Sequence, residues 1–381
     1  MGFRPFFLAA GGFAVISMLV WFAAYSLKVS FPLAGLPAIT WHAHEMIYGY
    51  GMAVVAGFLL TAVGNWTGRP TLSGAPLLLL FLLWLLARVT VLAGGEAEQT
   101  LAAVFDLLFL AGFTLAVTVP IIRARRWPDL AILIKLVLLL VSNLVFFLGA
   151  AGSLENGVYL GLYSGLYLVL ALIFMLSRRV LPFFIERGVG YPVELRNSKR
   201  LDIASLVLFA AFWIADLFQP NGLTVAALAA GLFALHLWRL LGWYTPGIWK
   251  KPLLWSLYLA YAAIVVGFAL KVAVYAAGMS SYLAVHAFAV GGVGMMTLGM
   301  MTRVALGHTG RSVFEPPPAL TWIFAVLGVA VLVRVLLPML DSGHYDLWIG
   351  LSQWLWIAAF LAYFLLYFPV LTQPRVDGQP G

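Results

Sequence analysis

Apolar runs long enough to cross a bilayer recur twelve times along the chain, at about 5–27, 42–64, 76–94, 101–122, 129–151, 157–180, 201–219, 222–243, 253–277, 282–304, 319–340 and 347–371. A spanning helix needs roughly 20 apolar residues at about 1.5 Å of rise each, and every run is close to that length. Most joints are short and many carry Pro or Gly; the longest is 178–200, between helices six and seven. The pattern predicts an all-α polytopic membrane protein of about twelve transmembrane helices. Because no joint is long enough for a soluble domain, residues 1–381 read as a single integral membrane domain. The first run, Phe6 to Tyr25, exceeds the roughly 7–15 apolar residues of a signal-peptide core and counts as helix one.

Composition agrees, with 64% hydrophobic and 9% charged residues and a mean hydropathy of +1.02. Of 22 Lys and Arg, sixteen fall on one side of the predicted spans and only Lys28 lies in the opposite loops. By the positive-inside rule both termini are therefore cytoplasmic. The net charge of +8 is spread over five loops and two tails, so it reports topology and implies no nucleic-acid partner. Cysteine is absent, which excludes disulfides, thiolate metal sites and covalent haem attachment through C-x-x-C-H. A metal would have to be held by His, Met, Tyr or carboxylate.

The polar residues inside the spans are the candidate chemistry. WHAHEMIYGY, residues 41–50, puts His42, His44, Glu45 and Tyr48 at the outer end of helix two, and His286 lies one turn below the outer end of helix ten. Arg88, Asp106, Asp216, Lys271 and Arg334 also fall in the outer halves of their spans. Ionisable groups at mid-span cost about 2.5–3.5 kcal/mol on insertion scales and point to function. Arg88, Lys271 and Arg334 can instead snorkel to the headgroups. Imidazole is too short for that, and it ligates haem iron and copper well. His42 and His44, two residues apart, cannot both face one metal on a regular helix; interfacial hydrogen bonding is the plainer role for them. His236, beside Arg239, reads as structural and His344 as a solvated loop residue. Gly291, Gly292 and Gly294 leave room for another backbone or for a flat macrocycle, while Gly157, Gly161 and Gly165 read as a packing seam flanked by Tyr159, Tyr163 and Tyr167.

The N-terminal FRPFF, WHAHEM, GFLLTAVGNWTGRP, RRVLPFF at 178–184, KPLLWSLYLAY at 251–261 and MTRVALGHTGR near residue 300 together resemble the NnrS family over nearly the whole chain. The resemblance implies a bacterial inner-membrane protein that binds haem b non-covalently, and copper, and is linked to nitric oxide, nitrosative stress and denitrification. One departure is Leu257-Tyr258-Leu259-Ala260-Tyr261, where Leu-His-x-x-Tyr is common in the family; here Tyr258 stands in the histidine's place.

From these readings His42, His44 and His286 are the expected metal ligands, and Arg88, Lys271 and Arg334 the expected partners of haem propionates. Glu45 and Tyr48 are the candidate proton relays, leaving open whether the protein turns nitric oxide over or only binds it. No motif identifies an electron donor. Asn65, Trp66, Arg69, Arg303, His308 and Arg311 are expected to form a structural clamp at the basic side, where helix ten meets the 65–70 loop. A twelve-helix secondary transporter without a metal is the rival reading. A haem-copper oxidase relative is third, for want of in-span histidines. Reporter fusions test the topology: activity is expected inside after Arg200 and Lys251 and outside after Glu98 and Ser342, and the opposite pattern would invert every depth assignment.

Overall fold

The computed structural model describes residues 1–379. It is 82% helical and has no strand among the described residues. Twelve helices are long and apolar enough to cross a membrane: α1 (Phe3–Tyr25), α2 (Ala38–Thr67), α3 (Gly74–Leu92), α4 (Ala97–Arg123), α5 (Trp127–Ala150), α6 (Gly157–Gly188), α7 (Lys199–Phe218), α8 (Leu223–Gly242), α9 (Pro252–Ala277), α10 (Ser281–His308), α11 (Ala319–Leu340) and α12 (Ser342–Thr372). Each coincides with one of the predicted runs. In lipid every backbone N–H and C=O must be satisfied within its own segment, which helices achieve. Local signals set several ends. Ser198 accepts the Leu201 N–H to start α7, Pro252 occupies the first turn of α9, and Gly278, at φ 63°, ends it in the left-handed conformation.

Helix α6 corrects the predicted limits. It runs eight residues past 180 to Gly188, with Pro182 inside it. Leu181 and Ile185 are buried on one face, and that packing carries the helix through the proline. The expected 178–200 loop is therefore confined to the stretch between Gly188 and Lys199.

The chain sorts into two compact units, where the sequence reads as a single domain. Unit 1 comprises Met1–Leu168, Val304–Arg311 and the chain from Phe360 onward; unit 2 comprises Val169–Arg303 and Ser312–Ala359. Three of the four divisions fall inside α6, α10 and α12 and the fourth lies just after α10, so no linker sets the units apart.

Two spans are not uniformly α-helical. In α2 an α-helical turn, Ala38–His44, leads into a π-helical segment, Glu45–Gly51, before α geometry resumes at Met52. In α10 the same order holds: Ser281–His286, π-helical Ala287–Gly294, then Met295–His308. Each π segment begins directly after a histidine. Such segments shift the helix register and leave main-chain carbonyls without their usual i+4 donor.

In unit 1 the glycine seam of α6 is a contact line. A Cβ at Gly157 would lie 2.7 Å from the backbone of Gly149 and of Val145 on α5, one at Gly161 would meet Phe146, and one at Gly165 would meet the Tyr48 hydroxyl. In unit 2 the glycines of α10 serve the same purpose. A Cβ at Gly291 would lie 2.5 Å from Ala263 Cβ, at Gly292 2.5 Å from Ile264, and at Gly294 2.6 Å from Trp356. These glycines admit α9 and α12, so the room expected for a macrocycle is filled by side chains. Gly157→Val should cost about 1–3 kcal/mol through overpacking against backbone that cannot rotate away. Unfolding of the purified variant in mixed micelles checks this, with Gly328→Ala, whose Cβ would meet only Met295 Cε at an ordinary 3.5 Å, as the comparison.

Candidate functional site

The WHAHE motif builds a buried polar cluster in unit 1. His44, Glu45, Arg88, Asp106 and Asn143 are each at most 3% exposed, although α2, α3, α4 and α5 supply them from four separate spans. Arg88 Nε lies 3.2 Å from Glu45 Oε2, and its Nη2 lies 2.7 Å from Asp106 Oδ1. His44 Nδ1 is 2.9 Å from Glu45 Oε1, and its Nε2 is 3.0 Å from Asn143 Oδ1. Asn143 Nδ2 in turn donates to Asp106 Oδ2 at 3.0 Å. That orientation of the amide makes Nε2 the donor toward Asn143. Both ring nitrogens of His44 are therefore committed, and two carboxylates are gripped by one guanidinium, one imidazole and one amide.

The π segment and Gly49 make this geometry reachable. A Cβ at Gly49 would lie 2.6 Å from Arg88 Nη1 and 2.7 Å from Phe13, so only glycine lets the guanidinium come so close. The Gly49 carbonyl accepts from Trp84 Nε1 at 2.9 Å. Tyr48 donates to the Gly161 carbonyl at 2.7 Å, and the His44 ring stacks on Phe146 with centroids 4.3 Å apart. His42 faces elsewhere, flat on Trp21 at 4.6 Å and 6°. The two histidines thus have different surroundings, as a regular helix requires for positions two apart.

Unit 2 holds His286. Its Nδ1 lies 2.7 Å from the Tyr282 carbonyl, which accepts only, so the Nδ1 bears the hydrogen and Nε2 is left with a lone pair. Arg334 Nη2 sits 3.1 Å from that Nε2. Lys271 is paired with Asp216 at 2.7 Å, both at most 2% exposed. The three basic residues expected either to snorkel or to hold propionates are thus buried, and two of them, Arg88 and Lys271, already have carboxylate partners.

One residue, Asn143, escaped the sequence reading, and His236, read as structural, has partners that the sequence did not name. Asn143 was unremarkable among the leucines of α5, yet it links His44 to Asp106. His236 is stacked on Phe174, with centroids 4.2 Å apart, and its Nδ1 is 2.6 Å from the Tyr261 hydroxyl. That hydroxyl also accepts from Arg239, whose Nη2 reaches Asp202 at 2.9 Å. The signal available was the i, i+3 spacing of His236 and Arg239 on one helix face. Tyr258, in the place of the family histidine, donates to the Leu240 carbonyl at 3.1 Å.

The basic-side motif divides. The Asn65 and Arg69 side chains are exposed, and the Trp66 carbonyl accepts from Arg126 at 3.0 Å. The end of α10 is tied instead to the C-terminal tail: Arg375 donates to the His308 carbonyl at 3.1 Å and Val376 N–H to Thr309 at 3.2 Å, while the Arg311 N–H bonds Leu306. Hydrogen bonds from Arg375 hold the Asp377 carboxyl down at about 2. Arg303 lies over the Phe184 ring, 3.8 Å from its centroid.

Twelve apolar spans carrying buried, paired charges define a multi-pass α-helical membrane protein. The chain belongs to the NnrS family, whose model, described as NnrS protein, matches residues 1–375. No curated protein matches it.

His44→Ala should be the more damaging of the two motif substitutions. It leaves the Glu45 carboxylate and the Asn143 carbonyl short of a donor, at about 3–5 kcal/mol if the loss resembles that of one partner of a buried pair. His42→Ala loses a stacked ring worth about 0.5–1.5 kcal/mol beyond its buried area. Unfolding of both variants in the same detergent ranks them, and equal losses would mean that the cluster contributes little.

Proposed function

We propose that this protein is a haem b- and copper-binding protein of the bacterial inner membrane, and that it captures nitric oxide in resistance to nitrosative stress. Family membership supplies the prior, and His286 is the observation that carries it. An Nδ1–H bonded to a main-chain carbonyl is the arrangement that fixes a ligating imidazole with its Nε2 lone pair outward. The Arg334 guanidinium, a cation set at that lone pair, stands where a metal ion would be received. His286 therefore fits a metal. His44 does not, since both of its ring nitrogens are turned toward oxygen acceptors, the Glu45 carboxylate and the Asn143 carbonyl, which leaves no lone pair for a metal. His42 retains its place as a candidate in unit 1.

Haem iron held by His286 would supply the chemistry of nitric oxide binding. Nitric oxide is small and apolar enough to arrive through the bilayer. The chain's own part would be to offer Nε2 of His286, with Arg334 beside it as the cation for a propionate. Glu45 and Tyr48, the expected relays, are held by His44 and Arg88 and by Gly161, so binding is favoured over turnover.

Optical spectra of the detergent-purified protein, oxidised and reduced, together with metal analysis, test the reading. His286→Ala should lose most of its haem or copper signal at equal yield, whereas His44→Gln should keep the signal while losing stability. A colourless, metal-free preparation from haem-replete cells would overturn the proposal in favour of the transporter.

A further inference from the structure

Unit 2 carries a small basic cleft that the metal reading does not use. It lies where the ends of α6 and α10 meet the start of α9, and Gly188, Leu254, Lys251, Arg303, Phe314 and Pro316 line it. It is small, with about 10 Å³ of enclosed free space. Its only charged lining residues are Lys251 and Arg303.

Arg303 is the unusual member. Half-buried at the end of a membrane span, it stacks on Phe184 and has no carboxylate within ion-pair reach among the described residues. The more deeply buried cations of the spans described above have partners: Arg88 has two carboxylates, Lys271 has Asp216, Arg239 has Asp202 and Arg334 has the His286 imidazole. Lys251 makes one long contact, 3.4 Å, to the Phe314 carbonyl. The first turn of the 26-residue helix α9 opens beside them without a side-chain cap, which adds partial positive charge. Trp249, Tyr244 and Phe314 are exposed around this end of unit 2, in the manner of rings that sit at headgroup level.

We propose that this cleft binds the phosphate of an anionic phospholipid, with Arg303 and Lys251 as its cationic contacts and an acyl chain lying over exposed Phe314. Arg303 supplies a fixed fork of donors that matches phosphate oxygens, and Phe184 holds that fork in place. Lys251 closes over the headgroup as a mobile point charge. The cleft is shallow, so phosphate oxygens enter it and the glycerol backbone stays outside. Basic pockets between helices at the positively charged face of a membrane protein are the usual recognisers of such headgroups. The site is independent of metal binding.

Native mass spectrometry of the detergent-purified protein, titrated with phosphatidylglycerol, phosphatidylcholine or inorganic phosphate, tests the assignment. The wild type should retain one phosphatidylglycerol in clear preference to phosphatidylcholine, and inorganic phosphate at millimolar concentration should not displace it. Arg303→Gln and Lys251→Gln should each weaken retention by roughly fivefold, while Lys28→Gln in the opposite loops should leave it unchanged. Lys251 is a solvent-reaching side chain, so its variant keeps the test valid if Arg303→Gln fails to fold. Equal retention of the two lipids, or retention unaffected by Lys251→Gln, overturns the proposal. Displacement by inorganic phosphate would make the cleft a free-anion site and overturn the lipid assignment.

Discussion

A guanidinium buried among apolar helices is tolerated only when opposite charge lies against it, and the position of Arg88 constrains much of unit 1. Its two carboxylates come from α2 and α4, and the groups that complete their coordination come from α2 and α5. In lipid the alternative to such pairing is a charge facing hydrocarbon, so the helices supplying these groups are fixed in rotation and in depth. Gly49, the π segment of α2 and the Gly157–Gly161–Gly165 seam then follow as the means of bringing the backbones close enough.

This division of labour changes what the histidines mean. In the WHAHE motif His44 is a donor that organises charge, while His42 lies against Trp21 at the start of the span. His286, in unit 2, has its tautomer set by a carbonyl and its lone pair turned toward a cation. Both His44 and His286 directly precede a π segment, yet one is closed by hydrogen bonds to acceptors and the other sets its basic nitrogen against Arg334. The same local device accompanies a closed polar cluster in one unit and an imidazole–guanidinium contact in the other.

The twelve spans were legible because bilayer thickness imposes a length that composition alone reveals. The seam at Gly157, Gly161 and Gly165 was legible because a spacing of four returns to one helix face. Other features were not. Helices that are apolar all round carry little periodic signal, so the direction in which Arg88 or His286 points, and the linking role of Asn143, depend on tertiary packing. Gly291, Gly292 and Gly294 look alike whether they admit a cofactor or Ala263 and Ile264. The extension of α6 through Pro182 was hidden because a proline in a basic, loop-like segment is a stop signal unless buried residues such as Leu181 and Ile185 oppose it.

The account depends most on Arg88 and Asp106 acting as one unit, and a double-mutant cycle measures that directly. Arg88→Leu and Asp106→Leu, alone and combined, are to be compared by reversible unfolding in mixed micelles. If the pair is coupled as the 2.7 Å contact requires, each single change leaves a buried charge short of one partner, and the double variant loses clearly less than the sum, with a coupling of about 1–3 kcal/mol. Additive losses would show that the two charges are stabilised independently and would contradict the account.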